Sequence, residues 1–559
     1  MEELVEILAK YLGDSVTVNE ITNLIEIPPD EKLGDYALPC FILAKKLRKS
    51  PAIIAEDLAR AIADEPIIAK AQAVSGYLNM FIDRKWLSLR ILQSAMEPGF
   101  GKGNVAETTV VEYCSPNTNK PLHLGHLRNM AIGESVSRLL AFLGNKVFKT
   151  CVYNDRGVHI CKSILAYKDF GNGVEPQSKG IKPDHFVGDY YVLFARKAKE
   201  DESYEEKAQN LLQSWESGDP ETVSLWKKMN EWAFEGFRET FQLFGTHFDR
   251  EYYESDIYKH GREIILQGLE RGQFIKLPDG AIVADLTDKG LDQKVLLRSN
   301  GTSVYIVQDI YLAHLKETEF GYDRSIYVVG NEQEYHFKVL NEILEILGAS
   351  KRGHIHHLSY GMVELPEGKM KSREGVVVDA DDLIHDTSLL AAEEIRKRYQ
   401  LPDEEVKERA LKIALAAIKY QLLKTETSKN MVFNPKEAIR FEGDTGPYVL
   451  YSYARASSIL RKAEVPMVVE SWDANEHEAR LLKKMQEFPD VVKLACARLT
   501  PSTLAGYTLE LCQIFNEFYH ECPVLRSDIS GQRLALVSAF RNVSGKCLEL
   551  LGIDKIEEM

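Results

Sequence analysis

VVEYC (110–114) runs without a break into SPNTNKPLHLGHLRN (115–129). A continuous apolar run of this kind suits a parallel strand buried on both faces. AIGESVSRLLAFLG (131–144) then has a helical pattern closed by a glycine, and NKVFKTCVYN (145–154) reads as a second strand. Strand, helix and strand of this size predict a right-handed βαβ unit. The fold class expected is therefore α/β, with a doubly wound parallel sheet.

In such a sheet ligands bind beyond the C-terminal ends of the strands, and the loop at 115–126 lies there. The amides that open the following helix favour anions. Gly125 lets a ligand approach the backbone closely, and His123 and His126 share one face of the first turn. With Lys120 they form a sensible holder for a triphosphate. Zinc is a competing use of two histidines, but two ligands are insufficient and no Cys or His cluster supplies the rest. Ordinary loop packing also stays open. GKMKSREG (368–375) is a cationic loop flanked by glycines. Alone it reads as a solvated turn; beside the histidine loop it becomes a candidate clamp for charge on a transferring phosphate.

The 559 residues predict roughly three or four domain cores. Residues 1–100 read as a small α+β unit, 107–385 as the α/β domain with a charged helical insertion at about 165–290, and 386–559 as an α-helical domain in which everything from Pro402 onward reads as helix. The sheet is expected to resume at GTSVYIVQDI (301–310) and SIYVVGN (325–331). No 18-residue apolar run is present, so no membrane span is expected. The start, MEELVEILAKYLGD, lacks the pattern of a signal peptide. Eight cysteines without a C-x-x-C suggest neither structural zinc nor a disulfide framework, which fits a reducing cytoplasm. Net charge is −15, which counts only weakly against nucleic acid because local patches meet phosphates. AKKLRKS (44–50) and ARASSILRKA (454–463) are such patches, though composition alone makes each a solvated helix face.

Together the two loops resemble those of class I aminoacyl-tRNA synthetases: HLGH stands where that class has His-Ile-Gly-His, and KMKSR where it has Lys-Met-Ser-Lys-Ser. VEYCSPNTNKPLHLGHLRN (111–129) is similar to the signature of the arginyl-tRNA synthetase family. LGDYALPCFILAKKL (33–47) resembles that family's additional N-terminal domain, and RFEGDTGPYVLYSYARASSILRKA (440–463) the opening of its helical anticodon-binding domain. The resemblance implies ATP-dependent activation of L-arginine, with Mg²⁺ accompanying ATP, and transfer to the terminal adenosine of tRNA(Arg). It also implies a requirement for tRNA in the first step, and monomer as the family default.

Residue by residue, the resemblance implies catalytic roles for Lys120, His123, His126, Lys369 and Lys371. ATP contacts fall to His123, Gly125, His126, Met370 and Ser372. Ser372 occupies the position where the class has its fourth-place lysine, and Lys120, just upstream of HLGH, is the substitute. A guanidinium needs planar acceptors, ideally a carboxylate. Tyr305 and Asp309 are four apart and meet if a helix starts there. With Glu254 they match the family's arginine side-chain pocket. Asn117 and Gln333 match groups at the amino acid's backbone end, and Asn154 is a further candidate in the arginine site. Tyr448, Tyr451, Tyr453, Arg455 and Arg461 suit stacking and phosphate contacts with tRNA, although a core role for some of these tyrosines is equally open. A synthetase for another amino acid, a small-molecule nucleotidyltransferase and a silent tRNA-binding paralogue are the rival readings.

Overall fold

A computed structural model describes residues 2–348, 355–366 and 378–559. Internal contacts divide the chain into two units. One comprises residues 1–100, 455–488 and 511–544; the other comprises 101–454, 489–510 and 545–559. The helical stretch after residue 386 is thus shared between them. No helix among the described residues is long and apolar enough to cross a membrane.

The smaller unit contains a three-stranded antiparallel sheet ordered Tyr36–Pro39, Tyr77–Ile82, Ile68–Val74. Its apolar face carries Leu38, Leu78 and Met80, and Leu4, Leu8, Ile54 and Leu58 of two helices complete that core. The helix Pro51–Ala61 begins where Ser50 accepts the Ile53 N–H and Pro51 supplies a preset first turn.

The larger unit is built on five parallel strands: β1 (Thr108–Glu112), β2 (Lys146–Tyr153), β3 (Arg250–Tyr253), β4 (Arg324–Gly330) and β5 (Ile355–Tyr360). Their order across the sheet is β5-β4-β1-β2-β3, all parallel. Val110 and Val111 of β1 are fully buried, as a central strand requires. The order reverses between β1 and β4, which makes the space beyond their C-terminal ends the switch point of a doubly wound fold. Helix α1 (Leu124–Phe142) leaves β1, α2 (Ile306–Phe320) precedes β4, and α3 (Glu334–Ile346) follows it.

Two expectations are corrected. GTSVYIVQDI does not resume the sheet: Tyr305 precedes α2, whose apolar residues Ile306, Val307 and Ile310 recur at helical spacing and are buried. The stretch 165–290 is not wholly helical either. Four longer helices, from Val158–Phe170 to Pro220–Phe244, occupy its first part. REYY of β3 then returns to the sheet edge, too short and polar to announce itself beside a 25-residue helix. A three-stranded antiparallel sheet of Ile275–Lys276, Ile282–Ala284 and Lys294–Leu297 follows.

Buried charge ties these layers together. Lys316 of α2, fully buried, pairs with Glu112 at the end of β1 and lies 4.2 Å above the Tyr327 ring of β4. Arg128 of α1 is also fully buried. Its guanidinium donates to the carbonyls of Met362 (2.9 Å), Thr427 (3.2 Å) and Lys429 (2.7 Å). These carbonyls flank the short parallel pair Val363–Glu364 and Met431–Val432. Arg128→Leu removes a donor from all three carbonyls, of which those of Met362 and Thr427 keep a backbone N–H from Met431 and Gly361, and is expected to cost about 1–3 kcal/mol, read as a clear fall in the first thermal unfolding transition of the full chain. Arg128→Lys, which loses the planar fork, is expected to recover only part of that loss.

Candidate active site

The site begins where β1 ends. Cys114 (φ 73°) and Ser115 (φ 43°) both adopt the left-handed conformation, strained for residues with a Cβ. The side chain of Asn129, one turn beyond His126 on α1, holds this turn. Its Oδ1 accepts the Cys114 N–H at 2.6 Å, and its Nδ2 donates to the Val328 carbonyl at 2.7 Å and the Tyr360 hydroxyl at 3.2 Å. One amide thus links the exit of β1 to β4 and β5. The loop then braces on the end of β2. Asn154 donates its backbone N–H to the Pro116 carbonyl (3.0 Å) and its side-chain amide to the Ser115 carbonyl (3.0 Å). Asn117 sits opposite Asn154 in an isolated parallel bridge and is exposed.

His123 is the N-cap of α1, a place usually held by a small oxygen-bearing side chain. Its Nδ1 accepts the Gly125 N–H at 3.1 Å, while His126 Nδ1 accepts the His123 N–H at 3.1 Å. The rings lie 3.9 Å apart, centroid to centroid. A Cβ at Gly125 would stand 2.9 Å from His123 Cε1, so glycine is needed here first to admit the histidine ring. Burial, with Lys120 nearby, pulls His123 down to about 4; burial, His123 and Lys120 hold His126 well below the ordinary histidine range. Both imidazoles are therefore neutral at neutral pH. Because each Nδ1 is an acceptor, the hydrogen-bond network assigns the remaining proton to Nε2. Lys120, half-buried and itself pulled down by burial, has no ion-pair partner among the described residues. The result is two neutral N–H donors, one cation and a helix N-terminus. This set suits phosphate oxygens and offers no anionic ligand to a metal.

The other candidates lie on the same edge of the sheet. Asn154 follows β2, Glu254 follows β3 and Gln333 follows β4; Tyr305 and Asp309 open α2, whose N-terminus faces that edge because the helix runs back to β4. Glu254 is held by its neighbour Ser255, whose N–H and hydroxyl donate to buried Asp155 at 2.8 and 2.6 Å. Burial drives the Glu254 carboxyl up to about 7; Arg156, 3.8 Å away, opposes this, and Asp155 and Asp309 reinforce it. Asp309 accepts from His336 Nε2 at 2.7 Å, and the Tyr305 ring, 61% exposed, lies 5.8 Å from the His336 ring. Tyr305, Asp309, Glu254 and His336 form one acidic, aromatic-walled group. Gln333 is exposed at the start of α3.

Sequence reasoning missed Asn129, Asp155 and His336. The first is three residues past His126 and the last three past Gln333, so helical spacing from a residue already chosen was the available signal. Lys369, Met370, Lys371 and Ser372 lie outside the described residues. Of the tRNA candidates, Tyr448 and Tyr451 are half-buried and Arg461 is exposed. Tyr453 is buried, with its hydroxyl on Glu557 at 3.0 Å. The Arg455 guanidinium meets Asn516 and lies 5.0 Å from the Tyr519 ring centroid.

Three family models match the chain: an arginyl-tRNA synthetase N-terminal domain over residues 2–82, a class I (R) tRNA synthetase catalytic domain over 92–435, and a DALR anticodon-binding domain over 449–559. An arginine–tRNA ligase of Treponema denticola is 45% identical, with 96% of this chain and 94% of that one aligned. Its counterpart in Treponema pallidum is 43% identical over 99% and 98%. Among solved structures, an arginyl-tRNA synthetase of Thermus thermophilus superposes with a TM-score of 0.79 at 28% identity, covering 100% of this chain and 99% of that one.

Proposed function

The chain belongs to the class I arginyl-tRNA synthetases, and from that premise we propose how its own residues carry out the reaction. An arginine carboxylate oxygen attacks the α-phosphorus of ATP, the bond to the bridging oxygen breaks, and pyrophosphate leaves. A ribose hydroxyl of the terminal adenosine then attacks the carbonyl of the adenylate, and AMP leaves with the electron pair of the broken mixed-anhydride bond. No protein nucleophile is needed; binding and orientation do most of the work.

The observation carrying this reading is the commitment of both Nδ1 atoms of the histidine pair to backbone N–H groups. Each Nε2–H then remains a donor preset for phosphate oxygens, with little reorganisation left for the moment of reaction. Lys120 supplies the nearby positive charge, in place of the lysine that Ser372 replaces. Lys369, Lys371 and Met370 complete the ATP site in this reading. Mg²⁺ enters with the triphosphate, whose oxygens supply the anionic ligands that Lys120 and the histidines do not.

Asp309 and Glu254 take the guanidinium, and Tyr305 covers its aliphatic stem. His336 keeps one oxygen of Asp309 occupied and so orients the carboxylate. Asn117 and Gln333 meet the α-amino and carboxylate end. Asn154, its amide engaged with Ser115, acts chiefly as the brace that sets Asn117. Tyr448, Tyr451, Arg455 and Arg461 face tRNA, and bound tRNA is required for arginine activation.

Arginine-dependent exchange of pyrophosphate into ATP, with and without tRNA, tests this reading. The wild-type chain is expected to exchange only when tRNA is present, and Asp309→Ala to lose exchange by about a hundredfold or more while ATP affinity stays within about twofold. Loss of ATP binding in that variant would remove Asp309 from the arginine pocket. Protonation gives a second check. A guanidinium arriving at Glu254 must expel a proton held with a pKa of about 7. Arginine affinity is therefore expected to fall as pH drops below 7, approaching tenfold per pH unit. Calorimetry in buffers of differing ionisation enthalpy should show proton release, and Glu254→Gln should abolish it.

A further inference from the structure

His123 stands on more than its own helix. Leu124 N–H donates to the Val378 carbonyl at 2.9 Å, and Ala380 N–H donates to the Leu122 carbonyl at 3.0 Å. His123 and Asp379 therefore face each other across an antiparallel bridge. The backbone of 378–380 is one of the two walls that place the imidazole.

That wall is held by charge from elsewhere in the chain. Asp379 caps the helix Ala380–Arg398, accepting N–H groups of Asp381 (2.9 Å) and Asp382 (3.1 Å). Asp381 Oδ2 accepts from Lys182 Nζ at 2.6 Å and lies 3.1 Å from His185 Nε2; its Oδ1 accepts the Thr240 hydroxyl at 3.0 Å. His185 Nε2 also lies 3.3 Å from Asp379 Oδ2. Lys182 and His185 sit at the start of the helix Pro183–Glu200, in the segment between β2 and β3. The same helix presses on the motif from the other side: a Cβ on Gly188 would stand 2.7 Å from Pro121 Cδ, two residues before His123.

Asp184, His185 and Asp381 have the spacing of a metal site among the described residues. A metal has no room to be needed there, because the Lys182 ammonium already bridges Asp381 and Asp184, at 2.6 and 3.4 Å. Helix Pro220–Phe244 closes the cluster, with Thr240 accepting from Lys182. A Cβ on Gly236 would fall 2.2 Å from Asp184 Oδ1, so nothing larger than glycine fits. The ionisable groups facing His185 are thus Lys182, Asp184, Asp379 and Asp381. Burial disfavours the imidazolium, but the hydrogen bond to Asp381 and the three carboxylates outweigh it and lift His185 to about 9.

We propose that Lys182 and His185 are positioning residues for adenylate formation, setting His123 at its working place through Asp379 and Asp381. The proposal rests on the phosphate-holding role given above to His123. Neither side chain touches substrate; each acts through the carboxylates that carry 378–380.

The test uses the full chain and tRNA-dependent pyrophosphate exchange, with KM for ATP and arginine, thermal midpoint and pH profile for each variant. His185→Gln and Lys182→Met are expected to lower kcat about ten- to hundredfold, as small misplacements of a reacting group do, with KM for arginine within about twofold. Lys182→Arg keeps the charge and is expected to restore most of kcat. The wild-type rate should fall through an alkaline limb near pH 9 that His185→Gln lacks. Wild-type kcat in both variants would overturn the proposal. So would a loss in Lys182→Arg as large as in Lys182→Met that follows the thermal midpoint, since that marks scaffolding alone. A wild-type chain with no arginine-dependent exchange would instead refute the functional reading itself.

Discussion

The catalytic unit depends on the buried side chain of Asn129. Its amide ties three strands of the sheet to one helix, and it holds two consecutive residues, Cys114 and Ser115, in a left-handed turn that neither favours. Without that turn β1 would continue straight out of the sheet, and the loop carrying Asn117 and Lys120 would not fold back over its edge. Next to it, Arg128 turns both terminal nitrogens of its guanidinium to backbone carbonyls of the segment around Met362 and of 427–429. Two adjacent polar residues of α1 thus join the core sheet on one side and the start of the helical region on the other. Unsatisfied buried carbonyls are expensive, so both joints hold to a single arrangement.

That rigidity determines the electrostatics. The same helix start that offers amides to an anion also uses its own histidines as caps, and the caps fix the tautomer. Neutral imidazole donors avoid placing two adjacent positive charges in a half-buried site, where repulsion and desolvation would both oppose them. The cation is supplied separately by Lys120. Across the sheet edge the balance is reversed: carboxylates gather, and burial holds Glu254 up to about 7 even with Arg156 3.8 Å away, so that near neutrality it still carries a proton part of the time for an arriving guanidinium to displace. One edge of one sheet therefore offers a donor-rich end and an acceptor-rich end, complementary to a nucleoside triphosphate and a guanidinium.

Much of this was legible in the sequence because it follows short-range rules. The apolar run before HLGH gave a buried parallel strand, and the four-residue spacing of Tyr305 and Asp309 matched the helix that starts between them. The failures have physical causes. GTSVYIVQDI has as many β-branched residues as a strand, and its helical periodicity shows only over a longer window. REYY is four residues long and is a strand only because β2 offers it an edge. Asn129, Asp155 and the Lys182–His185–Asp381 cluster work through partners that are distant in sequence. Asp381 lies 196 residues from His185, and no periodicity reports such a pairing. For Tyr453 the sequence leaves two readings level, stacking on tRNA or the helix core, and the structure takes the second: the ring is buried and its hydroxyl donates to Glu557.

The central claim is that His123 and His126 meet phosphate as neutral Nε2–H donors. Nitrogen-15 NMR of the chain labelled in histidine, followed from pH 8 to pH 5 with and without a non-hydrolysable ATP analogue, reads protonation and tautomer directly. The expected result is two imidazoles that keep an unprotonated Nδ1 and a protonated Nε2 throughout, with the Nε2 signals shifting when the analogue binds. Two resonances titrating together near the ordinary histidine value of about 6.5, or a protonated Nδ1 in the bound state, would contradict it.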